Sequence, residues 1–446
     1  MKKTLLYFTS VTIWLGVSAC GRFLDEKSDS LLGIPETLED NQAILDRYFV
    51  TGLHANSAEI SADDIYIIES DFNAMPNESE KRLHLWQPDY VSLESGNDWE
   101  NCYTKINIFN TVLFNLEHYE IEDADNVRGQ ALAFRAINYL EAAQIWCLAY
   151  NPATADQDLG LPLRLDPDMN IPSVRSSLKQ TYNQVLSDLH LAVALLPEQQ
   201  ITASRPSKAT ALGYLARAYL FMGDYENALK YGLQALDINK QLMNFNILNA
   251  NASYPIPNLN VEVLLPTGNA YTPFLTVTNA KIPPELYNTY EDNDLRKTIF
   301  FRTNTNGAYL FRGNYGGSSS RKNCLAIDEI YLTVAESYAR LNRPSEAMTW
   351  LNALLITRWK TGTYTPLIID NALDALIRIK DERRKELLFR GLRWADIKRY
   401  NKEGARITLT RTFNGKTYTL PPNDLRFAIA IPEDIIQMTG MPQNPR

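Results

Sequence analysis

Two stretches of the chain share one packing pattern, and they restrict its architecture more than any other feature. "ATALGYLARAYLFMGDYENALKYGLQALDI" covers residues 209–238, and "YLTVAESYARLNRPSEAMTWLNALLI" covers 331–356. Each reads as two helices joined by a tight turn, the first at Gly223-Asp224. In the first, Ala216, Tyr219 and Ala228 mark a small–large–small spacing; Ala335, Tyr338 and Ala347 repeat it in the second. Small residues let two helix axes approach, and the ring fills the gap between them.

Two hairpins with matching packing positions resemble tetratricopeptide repeats. Gly232 and Lys240 depart from the aromatic and proline usual there, so the repeats are degenerate. Other helices surround them. The apolar side of Leu38, Ile44, Leu45 and Tyr48-Phe49 predicts a first helix over 38–50. Trp99 opens another, with Ile106, Phe109, Val112, Leu113 and Leu116 on one face. A third runs from about 127 to 149. A fourth is capped by Ser176 or Ser177 and stops at Pro197.

Between these segments lie two long excursions, 51–98 and 244–325. Both lose helical periodicity and are rich in turn formers. Connections of that length are usually functional. "VEVLLPTG" and "KTIFFRTN" predict short strands in the second excursion, and "FAIAIP" predicts one near the C-terminus. The expected fold is therefore mainly α: tetratricopeptide-like hairpins, long irregular insertions and a few short strands.

Composition narrows the function. With 45% hydrophobic and 22% charged residues, the chain has a globular balance. A net charge of −8 argues against nucleic acid as a partner. Cys102, Cys147 and Cys324 form no CxxC pair; one long-range bridge or buried free thiols both fit. The four histidines, His54, His84, His118 and His190, have no metal-ligand spacing. No GxSxG elbow or glycine-rich phosphate loop occurs, so no cofactor or metal is expected. "DNDLR" at 292–296 echoes a calcium loop but lacks its glycine and distal glutamate; Asp292 and Asp294 read as turn residues. Asp63-Asp64 is the nearest thing to a paired-carboxylate hydrolase site, and nothing marks it out among 52 acidic residues. The charged run from Arg378 to Arg399 alternates in sign, which reads as a solvated helix laced with i,i+4 pairs. Trp394 within it, and Trp99, are expected to pack inside.

The N-terminus follows secretory logic. Lys2-Lys3 precede a mostly apolar run too short to span a bilayer, and small residues lead to Cys20. Val17-Ser18-Ala19-Cys20 resembles a bacterial lipobox. That resemblance implies removal of residues 1–19, lipidation of Cys20 and a membrane contact through the anchor alone.

Several segments, in order, resemble the SusD/RagB family of outer-membrane lipoproteins: "SADDIY", "DWENCYTKINIFNTVL", "DNDLRKTIFF", "EIYLTVAESYARLN", "DERRKELLFRGLRWADIKRYN" and the closing "IAIPEDIIQMTGMPQNP". The resemblance implies one SusD-like domain over 20–446, exposed at the cell surface and without enzymatic activity. It also implies capture of a glycan, sometimes a peptide, for delivery to a SusC-like TonB-dependent transporter. Sugars present apolar CH faces ringed by hydroxyls, so their sites pair aromatic rings with amides, carboxylates or Arg. Side chains of that kind, free of helical duty, lie in both excursions. Trp86 and Tyr90 are the expected platforms, with Asn97 as a hydrogen-bonding partner. Tyr271, Tyr309, Arg312 and Tyr315 are the candidates from the second excursion. The alternative reading is a scaffold whose helical hairpins hold protein partners.

Overall fold

A computed structural model describes residues 34–47 and 52–446. The leader, Cys20 and the run that follows it lie outside the described residues. The main helices are α1 (Leu38–Leu45), α2 (Asp98–His118), α3 (Asp125–Trp146), α4 (Leu178–Leu195), α5 (Lys208–Met222), α6 (Tyr225–Ile238), α7 (Ile327–Arg340), α8 (Pro344–Leu355), α9 (Ala372–Glu386) and α10 (Arg393–Lys402). Their starts follow local chemistry. Asn97 caps α2, Ser177 and Gln180 form a capping box on α4, and Asp224 caps α6.

From α2 to α7 each helix packs on the next, and α7 also carries α8 and α9. The contact between α6 and α7 joins helices on either side of the 244–325 excursion, so that excursion is an insertion in a continuous frame. Ala216, Ala228, Ala335 and Ala347 are all buried, and Tyr219 and Tyr338 are half-buried at equivalent places. The two hairpins pack as their shared spacing predicts.

Gly232 explains its own departure from the repeat pattern. A Cβ added there would sit 2.7 Å from Val334 Cγ2 on α7. An aromatic ring at this position would push the two hairpins apart. Gly232→Ala is accordingly expected to destabilise the protein by about 1–3 kcal/mol, read by chemical denaturation, because the close crossing cannot admit a methyl without moving α6 from α7.

The charged run from Arg378 corrects the sequence expectation. It is two helices, α9 and α10, broken where Phe389 and Gly391 adopt positive φ. Its charges are mostly buried rather than solvated. Arg383, Lys385, Glu382, Glu386, Asp396 and Arg399 are all inside. Asp294 is no simple turn residue either: together with Glu382 and Glu386 it surrounds the buried Arg296 guanidinium. Glu386 also pairs with Arg358, which reaches Glu262. This network fastens the second excursion to α9. The i,i+4 pattern looks alike on a wet face and in a buried network; Arg378–Glu382 is such a pair, but Glu382, Glu386 and Arg399 also take partners from other segments.

Strands are short. "FAIAIP" makes no ladder: Ile429 N–H donates to the Ile145 carbonyl and Ile431 N–H to Gln443. An antiparallel hairpin, Leu409–Phe413 with Lys416–Leu420, turns at Asn414-Gly415, both at positive φ. The first excursion is not wholly irregular, since it holds the short helices Ser57–Ser61, Glu69–Ala74 and Glu78–His84. The three cysteines are buried and unbridged.

Candidate functional site

The two excursions meet in a two-residue parallel ladder, Leu53 opposite Gly268 and His54 opposite Asn269. Side chains extend the junction. Asn269 donates to the Ala55 carbonyl at 3.1 Å, Asn56 donates to the Ala270 carbonyl at 3.2 Å, and Arg321 donates to Asn56 Oδ1 at 2.8 Å. The start of α2 docks against it: Asp98 Oδ2 accepts from the backbone N–H groups of Asn56 and Ser57 and from the Ser57 hydroxyl.

Below this seam lies a cavity of about 230 Å³. Leu53, Ala55, Cys102, Trp146 and Ala270 give it apolar wall; Asp98, Asn101, Lys105 and Glu141 are its ionic and amide groups. Glu141 accepts from His54 Nδ1 at 2.8 Å and from Ala55 N–H at 3.0 Å, and Lys105 donates to the Leu53 carbonyl. Burial raises the Glu141 pKa, but His54 and Lys105 outweigh it and hold the carboxyl below its usual range. Asp98 is pushed up by burial against its hydrogen bonds from Ser57 and Asn56. Burial pushes the Cys102 thiol up to about 12, so it stays protonated and unreactive near neutrality.

Tyr271 is 84% exposed. It follows Ala270, which lines the cavity, and precedes Thr272, which hydrogen-bonds Glu80. Burial, with Asp98 and Glu94 nearby, pushes Glu80 up to about 7 against that hydrogen bond and Arg321. The arrangement is an open ring one residue along the chain from an apolar-walled cavity that also carries carboxyl and amide groups. It suits the reversible holding of a ligand that is part apolar and part polar. No group of three or more metal-ligating side chains occurs among the described residues.

The expected ligand residues scatter. Trp86 is only 4% exposed, with its indole N–H on the Ser61 carbonyl and the Arg411 guanidinium over its ring; it is a core residue, not a platform. Tyr315 is also buried, its hydroxyl donating to Glu262 and Asp328 inside the ion network. Arg312 is spent on the carbonyls of Ala250, Ala252 and Thr298. Tyr309 is half-buried and stacked on Tyr287 at 3.6 Å. Tyr90 is 49% exposed, and its backbone N–H is held by Glu433. Asn97 caps α2 with its side-chain oxygen and gives its amide to Glu94 and Glu100. Asn97 and Tyr271 both adjoin residues of the cavity wall. Sequence reasoning missed Asn101, one helical turn on from Asn97, and Glu80. The cavity itself had no linear signal, because its walls come from four separate segments.

Asp63 and Asp64 are not free for acid–base work. Arg393 donates to Asp63 at 2.7 Å and Arg384 to Asp64 at 2.8 Å. Burial raises the Asp63 pKa, but these two guanidinium groups prevail and keep it ionised well below its usual range.

Comparison with known proteins agrees with this architecture. Residues 22–220 match a SusD-like family model described as "Starch-binding associating with outer membrane". Residues 311–433 match the SusD family model. A SusD-like protein, P2, from Formosa agariphila is 25% identical over 281 residues, covering 49% of this chain. The chain spans 56% of that relative's length. Among solved structures, a SusD superfamily protein from Bacteroides thetaiotaomicron aligns with a TM-score of 0.74 at 21% identity, over 92% of this chain and all of that one. A SusD-like carbohydrate binding protein from Bacteroides vulgatus aligns with a TM-score of 0.66 at 20% identity, over 91% and 97%. Both ends of the chain match models of one family, and the helical frame is shared nearly end to end with its solved members. The chain belongs to the SusD/RagB family.

Proposed function

We propose that this protein captures an oligosaccharide at the seam between its two excursions and passes it to a SusC-like TonB-dependent transporter in the outer membrane. The observation that carries the reading is Tyr271, a ring left open one residue along the chain from the wall of a cavity with polar groups. Family membership supports carbohydrate capture during nutrient uptake, with the lipid on Cys20 as tether. Among the described residues no helix is long and apolar enough to cross a membrane, which is compatible with such a tether. The protein acts by binding alone; the three described thiols are buried, and Asp63-Asp64 is ion-paired with Arg393 and Arg384.

Capture of a ligand is favoured over scaffolding by where the hairpins point. Their small residues are consumed in packing α5, α6, α7 and α8 on one another, so those positions offer no groove to a protein partner. Calorimetry with a panel of glycans tests the reading. Tyr271→Ala is expected to weaken the best ligand roughly five- to tenfold, the size of one lost ring stack. Absence of heat with every glycan would overturn it, and new reducing ends after incubation with polysaccharide would overturn the non-enzymatic part.

A further inference from the structure

The cavity at the seam is short of hydrogen-bond donors. Asp98 takes its three donors on Oδ2, and Glu141 takes His54 and Ala55 on Oε1. Asp98 Oδ1 and Glu141 Oε2 accept nothing among the described residues, and neither is closed off from water. Glu141 is half-buried in a stretch of α3, Gly129 to Trp146, that is otherwise buried, so the surface it keeps belongs to the interior hollow. Asn101 and Thr104, both exposed, carry the lining out to solvent.

The charges do not balance either. With His54 counted neutral, the wall sets two carboxylates against one ammonium, that of Lys105. Lys105 forms no ion pair among the described residues; its Nζ goes to the Leu53 carbonyl. Arg321, the next cation, donates to Asn56 and is shared with Glu59 and Glu80. One negative charge is left over in a space partly withdrawn from water. Burial raises the Asp98 pKa against its hydrogen bonds, and Glu141 adds to the rise.

A group that fits must bring donors and positive charge on a partly apolar body. A primary ammonium has three N–H groups and no acceptor, and its carbons can meet Leu53, Ala55, Cys102 and Ala270. A hydroxyl donates once and leaves the charge standing, an acetamido nitrogen does the same, and an anion would be repelled. No three metal-ligating side chains come together among the described residues, which separates the site from a metal centre. At about 230 Å³, against about 30 Å³ per water in the liquid, there is room for the ammonium and the adjoining ring edge.

We propose that this cavity takes the protonated amine of an amino sugar, with the charge set between Asp98 and Glu141. The inference rests on the glycan reading above and names its substrate class. Titration calorimetry near neutral pH compares glucosamine, N-acetylglucosamine, glucose and a short lysine peptide. Glucosamine is expected to bind roughly tenfold tighter than the other two sugars, the size of one charge-assisted hydrogen bond, and to lose part of that margin as salt is added. Asp98→Asn keeps an oxygen for Asn56 and Ser57 but turns the open oxygen into a donor. In this variant, checked for folding by thermal melting, the preference should vanish. Equal binding of the three sugars by the unaltered protein, or a preference surviving Asp98→Asn, would overturn the proposal and leave the glycan reading standing. Binding of an amine-free panel glycan, with glucosamine unbound, would do the same. Capture of the lysine peptide with no sugar bound would overturn both, as would no binding of any of these or of any panel glycan.

Discussion

Arg296→Met is expected to cost about 3–5 kcal/mol of folding stability, the largest effect of any single change considered. The side chain is completely buried and faces three carboxylates: Asp294 at 2.7 Å, Glu382 at 2.5 Å and Glu386 at 2.9 Å. Its removal leaves Lys385, Arg378 and Arg358 to balance that set. Carboxylates stranded out of water must then take up protons or draw water inward. Arg296→Lys should rescue only part of the loss, because a point charge cannot reproduce a planar fork aimed at three acceptors. The exposed pair Arg343–Glu346 provides the control: Arg343→Ala should change stability by under about 1 kcal/mol. Urea denaturation measures both. Since Arg296 fastens the second excursion to α9, limited proteolysis of Arg296→Met should cut first within 244–325. Equal stability losses for the two variants would mean that the network is not what holds the excursion down.

Stability should fall as pH rises from 5 to 7, the reverse of ordinary acid denaturation over that range. Three carboxyl groups are responsible. Glu59 is raised to about 7 by burial, then by Asp64, against Arg321 and the Gly391 N–H. Glu80 and Glu262 also stand at about 7, each chiefly through burial. A carboxyl whose folded pKa exceeds its unfolded value binds a proton more tightly when folded. Its contribution is full below about 4.5 and is lost as pH rises through about 7. Fully buried Glu59 alone accounts for a change on the order of 3 kcal/mol. His84, held neutral by burial and by Arg411, and His190, lowered by partial burial and by Lys230, work in the opposite direction as pH falls below 6.5, but they are two groups against three. Lys398, lowered to about 7 by burial, differs between folded and unfolded chains only above that pH. Below the window, Glu336 and Glu382 take over: arginines outweigh their burial and keep them ionised, so stability is lost again as they protonate. The optimum should lie near pH 5. Melting temperatures at pH 5, 6 and 7 check this, and Glu59→Gln should flatten the slope. A melting temperature that rises steadily from 5 to 7 would refute it.

The helical frame was legible because helix packing leaves a local trace. Ile106, Phe109 and Leu116 on one face, or Ala216 and Ala228 about a shared Tyr, need no distant information. The site left almost none. Trp86 and Tyr271 look equivalent in sequence, large rings in turn-rich segments. One is sealed by Ser61 and Arg411, and the other stands open. The deciding neighbours are 25 and 325 positions from Trp86, beyond any periodicity. Large aromatics more often pack than protrude, which the burial of Trp86 and Tyr315 bears out. The Arg378–Arg399 run failed for a related reason, since Arg296 and Arg358 arrive from other segments. Asn414-Gly415, by contrast, carries a strong hairpin signal between "ITLTRTF" and "KTYTL" and could have been read.

A crystal structure of the protein soaked with its best-binding oligosaccharide addresses the central claim most directly. A sugar ring resting on Tyr271, with polar contacts to Asn101 or to Glu80, is the predicted result. Sugar seated on the outer faces of α5–α8, with Tyr271 untouched, would contradict it.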